Sequence, residues 1–258
     1  MEYVELQGQS VPKIGLGTWN MRGKTCYQAT LNALSLGYRH IDTAEMYRNE
    51  SEVGRAINDS GVDRSEIFLV TKVSASHLAH DGVLQAAASS LERLRMSTID
   101  LYLVHWPNDR IPIGETMAGM NELVTRGKVR RIGVSNFSVR QLQEAESASA
   151  ARIFTNQIEY FIGHPQDAML RYCQENDVLL TAYSPLDRGH LRQSQALETV
   201  AESHDVTVAQ VALRWLIQQE RVVAIPKSAN PDRQRENLDV FSFELSEEQM
   251  TQLSTAYR

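Results

Sequence analysis

Asp42, Tyr47, Lys72 and His105 stand at or just past the ends of three successive apolar runs, and their chemistries complement one another. A phenol has an ordinary pKa of about 10, so at neutral pH it still carries a proton to give away. An ammonium beside it stabilises the phenolate left behind and makes the phenol a stronger acid. Lys72 can be that ammonium, with Asp42 holding it through an ion pair. A neutral imidazole at His105 can orient a carbonyl oxygen by hydrogen bonding, and a carbonyl polarised in this way is prepared to accept hydride. Taken singly, the residues have a blander account: a structural ion pair for Asp42 and Lys72, a satisfied core histidine for His105. Four of them at run ends in consecutive units favour the chemical account.

Such convergence needs a scaffold that brings strand ends to one rim. The apolar runs are Ile14–Trp19, His40–Ala44, Phe68–Val73, Ile99–Trp106, Ile132–Asn136, Phe154–Tyr160, Leu179–Ser184 and Val222–Ser228. Most are nearly continuous, as strands buried on both faces should be. Between them the spacing is helical. In Thr207–Gln219, Val208, Val211, Ala212 and Trp215 share one stripe, and Thr207 with Gln210 forms a capping box. Ser138 with Gln141, and Ser246 with Gln249, mark two further helix starts. Strands alternating with helices pair in parallel through right-handed crossovers, and eight such units close into a barrel. The expected fold is α/β, a (β/α)8 barrel of the TIM type. A hairpin turning at Gln7–Gly8–Gln9 precedes it and plugs its N-terminal end, and a short helix beginning near Ser246 finishes it. No linker or low-complexity tract interrupts residues 1–258, which read as a single domain. In this architecture reactive groups gather at the C-terminal strand ends, where the four residues fall.

Composition narrows the partners. A net charge of −6 disfavours nucleic acid and anionic membranes, both of which need clustered Lys and Arg. No stretch approaches the roughly 18 to 20 apolar residues of a membrane helix, and Met1–Val11 lacks a signal-peptide run. Cys26 and Cys173 form no metal or redox motif and read as reduced thiols, so a cytoplasmic location is expected. The sequons at Asn49, Asn58 and Asn136 then read as accidental. His77 and His80 lack neighbouring ligands, and no metal is expected. A P-loop, a G-x-G-x-x-G after a strand and a Tyr-x-x-x-Lys are all missing.

Longer stretches are more specific. Gly15–Trp19, Gly37–Tyr47, Thr71-Lys72, Leu103–Pro107, Gly133–Phe137, Asn156–Tyr160, Ala182–Leu186 and Ile225–Ser228 resemble the signatures of the aldo-keto reductases, in their usual order. The likeness runs from about Val11 to Leu253 and is closest to the short bacterial members, such as the 2,5-diketo-gluconate and aldehyde reductases. It implies NADPH-dependent reduction of aldehydes or ketones to alcohols, with Tyr47 as proton donor, Lys72 and Asp42 tuning it and His105 positioning the substrate oxygen. This family binds its dinucleotide without the glycine fingerprint. The resemblance assigns Ser135, Asn136 and Gln157 to the nicotinamide carboxamide, and Tyr183 to stacking on the ring. It carries Thr18, Trp19, Ser184, Leu186 and Ile225 over as further cofactor contacts, and Arg233, Glu236 and Asn237 as the adenosine end. Asn230-Pro231 opens a helix whose first N–H groups attract anions. Lys227, Ser228 and Arg233 there offer two cations and a hydroxyl for a 2′-phosphate, so NADPH is expected over NADH.

Two departures bear on substrate. Ser74 stands where many members carry a tryptophan that walls the pocket, and the chain stops at Arg258, without the C-terminal loop that covers the site in larger relatives. The segment Trp106–Glu115 is also short. The expected pocket is wide, lined by Trp19, Tyr47, His105, Trp106 and Met21, and suited to small aldehydes, α-dicarbonyls or keto-sugars. A monomer is expected from family habit. Two other classes compete: an NADPH-binding regulatory or sensor barrel with little turnover, and a phosphate-binding isomerase or lyase using Lys72 as a Schiff base. The intact quartet favours the reductase.

Overall fold

The first twelve residues build the lid of the structure. In the computed structural model, which describes residues 1–191 and 194–256, β1 (Tyr3–Leu6) and β2 (Gln9–Pro12) pair antiparallel. The two-residue turn needs positive φ at both positions, and Gln7 (48°) and Gly8 (71°) supply it. The hairpin's Leu6 and Val11 pack on Phe68, Val70, Leu101, Leu103, Phe154, Leu179 and Val223, the inward side chains of the barrel strands. The plug expected at the N-terminal end is therefore in place.

Eight parallel strands follow: β3 (Leu16–Gly17), β4 (His40–Asp42), β5 (Phe68–Val73), β6 (Ile99–Val104), β7 (Val129–Ser135), β8 (Ile153–Glu159), β9 (Leu179–Tyr183) and β10 (Val222–Ala224). Each pairs with its sequence neighbour, giving the spatial order β3 to β10. The ends of that series meet. Gly15 N–H donates to Ala224 O (2.9 Å), Ala224 N–H to Lys13 O (2.9 Å) and Gly17 N–H to Pro226 O (3.1 Å), which closes the (β/α)8 barrel. At this seam the chains approach so closely that a Cβ on Gly17 would lie 2.6 Å from Ile225 O, so glycine is required there.

The helices are α1 (Gly23–Leu36), α2 (Glu50–Asp59), α3 (His80–Leu94), α4 (Ile113–Thr125), α5 (Val139–Ala148), α6 (Asp167–Glu175), α7 (Gln195–His204), α8 (Val208–Ile217), α9 (Pro231–Leu238) and α10 (Glu247–Ala256). Capping boxes start α5 at Ser138/Gln141 and α8 at Thr207/Gln210, and Ser246 and Gln249 exchange the same pair of bonds before α10. The main apolar core lies between strands and helices, and Met21, 2% exposed, is part of it. Met21 therefore packs behind the rim and does not wall a pocket. Run boundaries moved as well. β3 and β10 end before the expected Trp19 and Ser228, because the chain there leaves the sheet to form loops. β7 begins at Val129, three residues before the apolar run: Arg130 and Arg131 disguise its start, where Arg130 pairs with Asp100 (3.3 Å) and Arg131 lies over Phe154. Among the described residues no helix is long and apolar enough to cross a membrane, and no three His, Cys, Asp or Glu side chains gather as a metal site.

Candidate active site

Asp42 ends β4, Lys72 lies in β5 and His105 follows β6, so three adjacent strands deliver them to the C-terminal rim. Tyr47 arrives on a single 3₁₀ turn, Glu45–Tyr47, held by Tyr47 N–H donating to Ala44 O (3.0 Å). Lys72 is fully buried; its Nζ donates to Asp42 Oδ1 (2.6 Å) and to Thr43 O (2.7 Å). The Tyr47 ring lies 5.2 Å from that Nζ and meets the His105 ring edge-to-face at 5.5 Å. The four side chains are one cluster.

Electrostatics refine the picture. Burial pulls the Lys72 ammonium below the usual lysine range, while Asp42 opposes that pull. Burial, with the charge on Lys72, depresses His105 to about 3, so the imidazole is neutral at physiological pH. For Tyr47, burial and then the Asp42 carboxylate push the phenol well above its ordinary value. This reverses the sign expected from the lysine alone, because burial of the phenol and the charge on Asp42 dominate. The Tyr47 hydroxyl has no hydrogen-bond partner among the described residues.

A second network adjoins the first. Asp42 Oδ2 accepts from Gln157 Nε2 (2.8 Å), Ser135 Oγ donates to Gln157 O (2.8 Å), and Asn136 Nδ2 donates to Ser135 Oγ and His105 O, both at 3.0 Å. Tyr183 Oη donates to Asn136 Oδ1 (2.9 Å). Burial, with Glu159 nearby, pushes the Tyr183 phenol up to about 12. The sequence marks these four separately; the structure ties them together and to Asp42. Thr18 is buried with its hydroxyl on Asp42 O (2.9 Å), whereas Trp19 and Trp106 stand open, 47% and 46% exposed. Ser184 and Leu186 are half-buried beyond β9, and Ile225 is buried beside the seam, its N–H on Ala182 O (3.1 Å).

At the other side of the rim Asn230 caps α9 by accepting from Asp232 and Arg233 N–H. Lys227 and Arg233 are exposed and make no ion pair among the described residues. Ser228 Oγ is engaged within its own turn, donating to Asn230 O (3.2 Å). Glu236 accepts from the Thr207 hydroxyl (2.6 Å), and Asn237 is buried. Ser74 is half-buried, its N–H on Glu45 Oε2 (2.9 Å). His77 pairs with Glu45 (2.9 Å), and His80 opens α3 between Asp81 and Glu122, each at 2.8 Å. Sequence reasoning missed Asn49. It is fully buried, accepts from Thr43 Oγ1 (2.6 Å) and donates to Thr18 O and Met21 O (both 2.9 Å), stapling the loops that carry Trp19 and Tyr47. The clue available was its position beside Glu50 at the start of α2.

A closed eight-stranded α/β barrel with tyrosine, lysine, aspartate and histidine clustered on its C-terminal rim defines a class of barrel enzymes. Comparison narrows the class: the sequence profile of the Aldo/keto reductase family matches residues 13–258. The chain is 40% identical over 247 residues to the glyoxal reductase of Bacillus subtilis, covering 95% of this chain and 89% of that protein. It is 39% identical over 249 residues to the 2,5-diketo-D-gluconic acid reductase B of a Corynebacterium, covering 96% and 90%. Among solved structures, an aldo/keto reductase from Klebsiella pneumoniae in complex with NADP and acetate superposes with a TM-score of 0.90, 35% identity and coverage of 99% of this chain and 95% of that one. This chain belongs to the aldo/keto reductase family.

Proposed function

We propose that this protein reduces small aldehydes and ketones to alcohols with NADPH, Tyr47 giving the proton. The observation that carries the reading is the Tyr47–His105 edge-to-face pair, 5.5 Å apart, beside the buried Lys72–Asp42 ion pair.

The residues present fit the dinucleotide. Gln157 Oε1 has no partner among the described residues and can accept from the nicotinamide carboxamide, whose carbonyl can take Asn136 Nδ2 in exchange for His105 O. Lys227 and Arg233, free of ion pairs among the described residues, flank the N-terminal turn of α9, where partial positive charge favours a phosphate. Bound there, the cofactor supplies the hydride. The chain's own contribution is positioning and proton supply. His105 Nδ1 is buried without a partner; an unpaired acceptor costs less there than an unpaired N–H, so the proton sits on Nε2, the nitrogen open to solvent. That N–H holds the carbonyl oxygen, and the Tyr47 hydroxyl hands its proton to the same oxygen as charge develops on it. A phenol raised by burial keeps its proton in the resting enzyme. Lys72 limits the cost of the phenolate formed in turnover, and Asp42 keeps the ammonium charged.

Trp19, Met46 and Trp106, 47%, 50% and 46% exposed, surround an open mouth, which suits small carbonyls of varied shape. The test is consumption of NADPH with an aldehyde panel by the parent and by Tyr47→Phe. Turnover should fall by roughly 100- to 10,000-fold, the usual contribution of a positioned acid, with NADPH affinity retained. A fully active variant sinks the assignment.

A further inference from the structure

The proton donor of this site is aimed by its backbone. The Tyr47 hydroxyl bonds to no described residue, and its ring only rests against His105 and Lys72, so the placement of the acid depends on the single turn Glu45–Tyr47 that carries it. That turn reverses at Arg48, a side chain in left-handed backbone (φ 55°). On its inner side Asn49 staples it to the loop after β3. On its outer side the brace is Glu45. Oε2 of its carboxylate accepts the N–H of Ser74 (2.9 Å), and Oε1 lies 2.9 Å from His77 Nδ1. The side chain is 17% exposed, so water competes little for either contact. Both partners belong to the segment after β5, which is anchored in turn. His77 N–H donates to Ser74 O (2.9 Å), and Ala75 O accepts from Asn108 Nδ2 (2.8 Å) in the loop that follows His105. The segments after β4, β5 and β6 are thus tied in series.

We propose that Glu45 is a positioning residue for carbonyl reduction: by bridging Ser74 and His77 it locks the turn that aims the Tyr47 hydroxyl at the oxygen held by His105. The inference deepens the reading of Tyr47 as proton donor and rests on it. A carboxylate suits the place because its two acceptor oxygens sit side by side, and here one meets a backbone N–H and the other an imidazole. β5 ends at Val73, so the Ser74 N–H lies beyond the ladder and turns to the carboxylate. Without Glu45 the turn is held from one side only. A hydroxyl at the far end of a ring magnifies any tilt of the turn beneath it, whereas Ser135, Asn136, Gln157, Lys227 and Arg233, the residues given to the cofactor, stand on other segments. Glu45 therefore acts by placement, and its signature is a loss of kcat with binding retained.

The test measures kcat and KM for 4-nitrobenzaldehyde, and the affinity for NADPH by fluorescence titration, in Glu45→Ala, Glu45→Gln, Ser74→Ala and Ser74→Pro. Glu45→Ala should lower kcat about tenfold, short of the roughly 100-fold that a misplacement of about 1 Å can cost, with KM and NADPH affinity within about twofold of the parent. Glu45→Gln should recover most of the loss, since the amide oxygen still accepts from Ser74 and its NH₂ can donate to a neutral His77. Ser74→Pro deletes the donor from the other side. Ser74 has φ −66° and ψ 147°, which proline adopts without strain, and Val73 before it is extended, so the fold is kept. Its kcat should fall about tenfold below that of Ser74→Ala, which keeps the N–H. The Tyr47→Phe background separates aim from general damage: with no acid to aim, Glu45→Ala should change kcat there by less than about twofold. Equal kcat in Glu45→Ala and the parent overturns the proposal, as does equal kcat in the two Ser74 variants. So does a loss of the same size in both backgrounds, which would make Glu45 a structural residue only. If Tyr47→Phe is itself as active as the parent, the proton-donor reading falls, and this inference with it.

Discussion

Replacing Asp42 with asparagine isolates the electrostatic heart of the site, because it keeps the shape and removes only the charge. The Lys72 ammonium is fully buried and the carboxylate opposite it is 2.6 Å away. At an effective dielectric of about 20 that contact is an attraction of roughly 4 to 6 kcal/mol. The amide returns part of it. Its oxygen still accepts from Nζ, a bond contributing about 1 kcal/mol, and Thr43 O is untouched. Its Nδ2, however, would face the Nε2 of Gln157, two donors nose to nose, so Gln157 must flip. The net loss is about 3 kcal/mol, at the lower edge of the range for orphaning one side of a buried pair. For a chain of this size that is a drop of roughly 6 to 12 °C in Tm. The sign with pH follows from Lys72. Its folded pKa lies below its unfolded value, so between the two the unfolded chain binds more protons, and stability rises with pH through that window. In the parent, Asp42 narrows the window; in the variant it widens. Calorimetry should find the gap between variant and parent shrinking as pH rises toward the ordinary lysine value of about 10.4, by up to about 1.4 kcal/mol per unit once the variant's folded pKa is passed. A shift under about 2 °C at neutral pH, or a gap indifferent to pH, refutes the reasoning.

Three further outcomes are expected. Lys227→Ala and Arg233→Ala should each weaken NADPH binding about tenfold and flatten its salt dependence while barely affecting NADH; equal losses for both cofactors would remove the 2′-phosphate assignment. Asn49→Ala should cost about 3 kcal/mol in unfolding experiments, since it strands three buried polar partners at Thr43, Thr18 and Met21, and a loss under about 1 kcal/mol would contradict its role as a staple. His105, depressed to about 3, should add no inflection to the pH profile of kcat/KM between about pH 5 and pH 8. Its contribution to stability is complete above the unfolded value of about 6.5 and is lost below it at about 1.4 kcal/mol per unit, so His105→Gln should be less acid-sensitive than the parent.

The barrel was legible because burial on both faces writes a strand as an unbroken apolar run, and because helix starts carry their own capping residues. Where a strand reaches an open end the writing changes. Arg130 and Arg131 sit in β7 and look like loop, since one pairs with Asp100 and the other covers Phe154 with its guanidinium. The candidate quartet was legible for a geometric reason: a parallel barrel turns "last residue of the run" into "same rim". What stayed hidden were contacts between residues far apart in the chain. Gln157 on Asp42, Tyr183 on Asn136 and Arg188 on Glu159 and Trp19 obey no local period, and each side chain taken alone looks free. Met21 failed for the opposite reason. Adjacency to Trp19 suggested the pocket, but the chain turns at Asn20, whose φ is 60°, and sends the next side chain into the core.

Those hidden contacts separate the groups that hold from the groups that act. Both oxygens of Asp42 are engaged, Lys72 Nζ donates to Asp42 and to Thr43, and Asn136 uses its oxygen and both amide hydrogens. A buried polar network of this completeness is rigid, because any displacement strands a partner. Around it, no described residue bonds to the Tyr47 hydroxyl, the His105 ring nitrogens or Gln157 Oε1, and of these atoms His105 Nδ1 is buried. An orphan by itself means little, since His40 Nε2 is orphaned too, away from the rim. The meaning lies in coincidence: three unpaired groups of different chemistry share one strand-end rim and are braced by a network with nothing left to give. Three together, at the place the fold reserves for reaction, fit partners that arrive from outside: a carbonyl oxygen for the phenol and the imidazole, and a carboxamide for Gln157.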